Sequence, residues 1–122
     1  MKDLYIYKIV EEYFFNRKEK IPGTTLSLLK NVEPYLKDIS DFLEELQLEC
    51  SAARPTSITC QFEFERIINN YKVTFSLDCE EMTFYFSIKI KNNFRIVYHT
   101  DYWVDLFNIK QEIENFKKWV EN

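Results

Sequence analysis

Between Ile58 and Tyr98 the chain alternates apolar and polar residues with a period of two, whereas on both sides of this stretch the period is near 3.6. A period of two can be satisfied only by strands buried on one face and wet on the other, and the longer period only by helices with one buried stripe. Ile58, Cys60, Phe62 and Phe64 alternate with Thr59, Gln61, Glu63 and Glu65. Tyr71, Val73, Phe75 and Leu77 follow the same rule, then Met82, Phe84, Phe86, Ile88 and Ile90, and finally Phe94, Ile96 and Tyr98. Asn69-Asn70, Glu80-Glu81 and Asn92-Asn93 separate the runs, and asparagine tolerates the positive φ of tight hairpin turns. The pattern predicts a four-stranded antiparallel meander.

The flanks are helical. Ile6, Ile9, Val10, Tyr13 and Phe14 share a face within residues 2–20, and Ile21-Pro22-Gly23, with the only glycine of the chain, ends that element. Leu29, Val32, Leu36, Ile39, Leu43 and Leu46 step by three and four. Pro34 belongs in a first turn, so the spacing predicts a short helical turn at 25–30 and a firm helix from about 32 to 48, capped by Asn31. Cys50 to Ser57, containing Arg54-Pro55-Thr56, reads as the loop between a helical half and a strand half. At the other end Asp101 offers an N-cap for a helix whose stripe is Leu106, Ile109, Ile113, Phe116 and Val120. The expected fold is α+β in the order α-α-β-β-β-β-α: two N-terminal helices, the meander covered on one face by helices, and a C-terminal helix. Its 122 residues suit a single globular domain spanning 1–122, and 46% apolar content with 17% aromatics supplies a core and excludes wholesale disorder.

Chemistry is scarce. His99 is the only histidine and has no nucleophile motif beside it; at a strand end next to Thr100-Asp101 it reads as exposed or capping. One glycine permits neither a Gly-x-Ser-x-Gly elbow nor a glycine-rich phosphate cradle. Cys50, Cys60 and Cys79 lack the close spacing that grips zinc, and they read as reduced thiols of a cytoplasmic protein. The opening MKDLYIYKIVEEYFF carries Asp3, Lys8, Glu11 and Glu12, so it reads as neither secretory signal nor membrane span. No catalytic residue, cofactor or metal is expected. Glu63 and Glu65 share a wet strand face and could be an acid–base pair, but with no apolar surroundings they read as a solvated surface.

Charge says more. Sixteen basic residues face twenty acidic ones, giving a net charge of −4, which argues against nucleic acid as the partner. Lys89, Lys91 and Arg95, with Tyr85 on the same face, form a basic outer patch, opposed by Glu63 and Glu65. Asp38, Asp41, Glu44, Glu45 and Glu49 form a stretch with no cation among them. Asp78, Glu80 and Glu81 form a second acidic cluster at a hairpin tip. Two such clusters on a small chain point to a basic protein partner, and these eight residues are the candidate contacts.

Small size, acidity, aromatic richness and this element order resemble the immunity proteins of bacterial toxin systems, including contact-dependent growth inhibition. The resemblance spans the whole chain and assigns no individual residue. It implies a cytoplasmic antitoxin-like inhibitor, a monomer or weak dimer, that binds a cognate basic toxin domain, often a nuclease, whose cationic groove the carboxylates would fill. An acidic secretion chaperone or a phage-encoded inhibitor fits the same facts. The alternative is a small-molecule-binding domain or small enzyme with a pocket between sheet and helices, lined by Tyr71, Tyr98, Tyr102 and Trp103.

Overall fold

A computed structural model describes residues 4–53 and 61–121. Three helices come first: α1 (Tyr5–Asn16), α2 (Gly23–Asn31) and α3 (Glu33–Leu46). Six strands follow among the described residues: β1 (Glu49–Ala52), β2 (Phe62–Ile68), β3 (Tyr71–Asp78), β4 (Thr83–Ile90), β5 (Ile96–His99) and β6 (Val104–Asp105). A 3-10 turn (Leu106–Asn108) leads into α4 (Ile109–Glu121). The fold is the α+β arrangement expected, with a meander at its centre and strands added at both margins. Adjacent strands pair antiparallel in the order β1-β2-β3-β4-β5, and β6 pairs with β4 beyond the end of β5.

The alternation translates directly into two faces. Phe62 and Phe64 on β2, Phe75 and Leu77 on β3, and Phe84, Phe86 and Ile88 on β4 are all buried on the inner face. Leu36, Ile39, Phe42 and Leu43 of α3, Ile113 and Phe116 of α4, and Ile6, Ile9, Val10 and Phe14 of α1 complete the same core. Asn69 takes φ +56° in the two-residue β2–β3 turn, as its residue type allows.

Five local expectations are corrected. Cys50–Ala52, expected as loop, belongs with Glu49 to β1, paired with β2 through Cys50 opposite Phe64. Its four residues are half-buried at most and too few to show a period, so no pattern announces it. Asn31 is the last residue of α2 rather than a cap; α3 begins after Val32 without a side-chain cap, and Pro34 does sit in its first turn. Asp101 is likewise not the N-cap of the C-terminal helix. Asp105 instead caps the 3-10 turn that leads into α4, its Oδ1 accepting from the Phe107 N–H at 2.8 Å.

The fourth correction concerns the last strand. Ile88 pairs with Tyr98 but Lys89 pairs with Ile96, so Val97 is an extra residue. A one-residue bulge moves every side chain beyond it to the other face. Tyr98 therefore points to the core while Ile96, expected inside, is exposed. Phe94, also expected inside, is exposed because it precedes β5, in the hairpin loop at φ +58°. Fifth, Asp78, expected at an exposed tip, is buried. Ile58, Cys60 and the Arg54-Pro55-Thr56 stretch lie outside the described residues.

With its single glycine at the start of α2, the chain closes its turns with other residues. Lys18, Gln47, Met82, Phe94 and Tyr102 join Asn69 at positive φ. A non-glycine residue there costs about 1–2 kcal/mol.

Phe86 meets Phe42 and Phe75 at ring-centroid distances of 5.0 Å each and Phe116 at 5.3 Å. Phe86→Ala is expected to lower unfolding stability by about 3–5 kcal/mol in urea titration. A loss below about 1 kcal/mol, typical of a surface site, would contradict this packing.

Candidate partner-binding surfaces

Asp38, Asp41 and Glu45 lie three and four residues apart, so they form one stripe of α3. That stripe borders a groove of about 290 Å³ shared with Lys110, Glu114 and Lys117 of α4. Cations compensate part of it: Lys37 Nζ is 2.9 Å from Asp41 Oδ2, and Lys117 Nζ is 2.8 Å from Glu45 Oε2. Both pairs are solvated and contribute little to stability.

Glu44 and Glu49 lie beyond that stripe. Together with Glu12 they surround Tyr5, whose hydroxyl donates to the Leu48 carbonyl at 3.1 Å. Burial first, then the three carboxylates in the order Glu12, Glu49 and Glu44, raise the pKa of that phenol, which stays neutral. Glu44 and Glu49 are exposed, and among the described residues neither has an ion-pair partner. Glu49 projects from β1 rather than from the helix.

The hairpin cluster divides. Asp78 is only 7% exposed, and its Oδ1 accepts from the Glu80 and Glu81 backbone N–H groups, each at 3.0 Å. Gln61 Oε1 accepts from the Cys79 N–H at 2.6 Å. Asp78 thus builds the turn from within, and only Glu80 and Glu81 face solvent. The sequence could have signalled this, because aspartate two residues before a turn commonly bonds the amides ahead of it.

The other expected groups also find places. Glu65 pairs with Lys72 at 3.3 Å, and Glu63 Oε1 accepts from Ser51 Oγ at 3.4 Å. His99 is exposed, stacks on Tyr85 at 6.4 Å, and its Nδ1–H donates to the Thr100 carbonyl at 2.7 Å. Among the described residues no three His, Cys, Asp or Glu side chains converge to hold a metal. The four aromatics of the alternative pocket do not meet. Tyr71 and Tyr98 pack on Trp119, at 5.9 and 5.8 Å, on the inner face. Trp103 lies against Tyr85 on the outer face, and Tyr102 is 82% exposed. The cavity beside Tyr71 and Trp119 holds about 120 Å³, below the ~300 Å³ at which ligand pockets begin.

No protein-family model, curated protein or solved structure matches this chain. Among the described residues no helix is long and apolar enough to cross a membrane.

Two expectations follow from the hairpin. Asp78→Ala leaves two buried-side amides without their acceptor and should lose about 1–3 kcal/mol in urea unfolding, whereas Asp78→Asn retains an acceptor and should lose less. Equal losses would show that the charge rather than the acceptor matters. Burial, then Asp78 and Glu80, pushes the Cys79 thiol up from 9.0 to about 12. In a Cys50→Ser/Cys60→Ser background, Cys79 should resist alkylation at pH 8 until the protein is unfolded. Because the folded pKa is the higher one, stability is complete below pH 9 and declines between 9 and 12, by up to about 1.4 kcal/mol per pH unit. Rapid native alkylation, or a flat alkaline stability profile, would refute the buried thiol.

Proposed function

We propose that this chain is a non-catalytic inhibitor of the immunity type, acting in the cytoplasm, that binds and neutralises a cognate basic toxin domain, in the simplest case a nuclease. The observation that carries this reading is the run of exposed carboxylates on α3 and the adjoining β1: Asp41, Glu44, Glu45 and Glu49, with half-buried Asp38 beside them. Along a helix, residues three and four apart are displaced by about 4.5 and 6 Å, a spacing that suits a row of cations on a phosphate-binding groove. Glu80 and Glu81 would add a second contact at the rim.

Such a surface acts chiefly through rate. Opposite potentials steer encounter, and salt reduces the effect as the Debye length falls from ~30 Å at 0.01 M to ~10 Å at 0.1 M. Desolvated pairs would hold the complex, whereas rim charges would set the on-rate. Lys37 and Lys117, which now bind Asp41 and Glu45, are exposed enough to be exchanged for a partner's arginines without unfolding anything.

The test begins with the genes beside this one. A neighbour encoding a toxic basic domain is expected, and the two proteins should bind one to one and restore growth on co-expression. Glu44→Lys, Glu45→Lys and Glu49→Lys together should keep the circular-dichroism spectrum and Tm of the wild type. They should slow association about tenfold or more at low salt and weaken protection. If that triple variant, with Glu80 and Glu81 also neutralised, binds as fast and as tightly as wild type, the acidic surface is not the interface.

A further inference from the structure

The outer face of the sheet carries a surface of the opposite sign. Strand register aligns Ile67, Lys72, Lys89 and Ile96 in one row across β2, β3, β4 and β5. Ile67 is 52% exposed, Ile96 47%, and Phe94 in the adjoining hairpin 60%. Beside Phe94 opens a groove of about 480 Å³, with Ile67 and Phe94 as apolar walls and Arg66, Lys72 and Lys91 among its lining. Lys89 and Arg95 stand next to it in the register and the hairpin. Glu49 and Glu65 are the acids of the groove, and Lys72 is bound to Glu65 at 3.3 Å. The Arg66 guanidinium is turned towards α3, where it donates to the Leu46 carbonyl at 3.1 Å. Four cations, Lys72, Lys89, Lys91 and Arg95, therefore stand around the apolar slot on a chain whose net charge is −4.

Phe94 is the unusual part. The β4–β5 hairpin closes with Ile90 N–H donating to the Arg95 carbonyl and Phe94 N–H donating to the Ile90 carbonyl, both at 2.8 Å. This loop ends on a residue with φ +58°, a conformation that glycine adopts freely and a bulky side chain rarely does. The ring adds nothing to the core, since it points outward with the Lys72 ammonium 5.9 Å from its centroid. A strained residue presenting an exposed aromatic ring, in a groove ringed by cations, has the composition of a binding hot spot.

We propose that this groove is a docking surface for an acidic segment of a partner protein. An apolar side chain of the segment sits between Ile67 and Phe94, and its carboxylates reach Lys89, Lys91 and Arg95. Charge complementarity selects an acidic occupant, and two observations favour a polypeptide over single-stranded nucleic acid. Glu49 and Glu65 inside the groove can accept from peptide N–H groups, which a phosphodiester backbone lacks. Tyr85 packs against His99 at 6.4 Å and Trp103 at 6.1 Å, which leaves Phe94 as the single aromatic ring among the described residues lining the groove, too little for a series of stacked bases.

The experiment uses the full chain, labelled for amide NMR, and three probes. These are a short synthetic peptide with Asp and Glu around a central Leu-Phe pair, its lysine-substituted counterpart, and oligothymidylate. The acidic peptide is expected to shift the amides of Lys72, Lys89, Phe94 and Ile96 and to bind more weakly as salt rises. Phe94→Gly should keep or raise Tm, because it releases the turn, yet weaken the peptide about tenfold or more. Lys89→Glu with Arg95→Glu should do the same without changing Tm. Binding unaffected by Phe94→Gly, equal binding of the lysine peptide, preference for oligothymidylate, or no shifts with any probe would each overturn the proposal. A fall in Tm on Phe94→Gly would overturn it too, by showing that the ring serves the fold. Phe94→Gly should leave toxin binding through α3 intact, so the two surfaces fail or succeed separately.

Discussion

One ring holds the layers together. Phe42 of α3 meets Phe75 of β3 at 6.0 Å, Phe86 of β4 at 5.0 Å and Phe116 of α4 at 5.4 Å, two of these contacts edge-to-face. Aromatic pairs in this distance range contribute about 0.5–1.5 kcal/mol beyond the area they bury. Because the rings come from three separate regions of the sequence, they fix the sheet against the helices before any surface group matters. Every surface described above is placed by that contact set.

Polar atoms inside the core are few and bonded. Ser40 Oγ accepts from the Ile6 N–H at 3.0 Å and ties the first turn of α1 to α3. Thr100 exchanges bonds with Phe86: its N–H donates to the Phe86 carbonyl at 3.1 Å and its Oγ1 accepts from the Phe86 N–H at 3.2 Å. That pair of hydrogen bonds anchors the margin of the sheet on both sides of an irregularity, with Tyr98 opposite Ile88 before it and Val104 opposite Phe84 after it. Tyr102, at φ +61°, is thrown outward between those anchors. The irregular edge also resists pairing with a further strand, which favours contact through side chains over strand addition.

The regular parts of this architecture were legible because burial on one face leaves a period. The three central strands, the stripes of α1, α3 and α4, and the inward set from Phe62 to Ile88 follow from spacing alone. Illegible were features that depend on a single residue's position. Val97 is apolar, so nothing marks it as the bulge that reverses Ile96, and nothing marks Phe94 as the loop residue at positive φ. Asp101 and Asp105 are equally good caps on paper, and only the path of the chain after Thr100 selects Asp105. Asp78 counted as surface charge, yet its own turn buries it. Asp41, Glu44, Glu45 and Glu49 of the acidic stretch are exposed while Asp38 is half-buried. The Lys37–Asp41 pair could have been read from its i,i+4 spacing, whereas Lys117 reaches Glu45 from a position whose proximity only packing reveals.

Net charge hides how that surface is divided. Asp38, Asp41 and Glu45 lie on α3 on the helical side of the sheet, while Lys89 and Ile96 align on the outer face. A helix with its side chains is about 10–12 Å across, wider than the ~8 Å Debye length at physiological salt. The two fields are therefore largely screened from each other, and each surface presents its local sign to whatever approaches it. Glu49 and Arg66 are exceptions, because each borders both the Tyr5 cluster and the groove beside Phe94. Reversing Glu49 alone would weaken one field and strengthen the other, whereas Glu44 and Glu45 act only on the acidic side. On the two proposals, the basic and the acidic partner would approach different faces of the sheet, with Glu49 at the boundary between them.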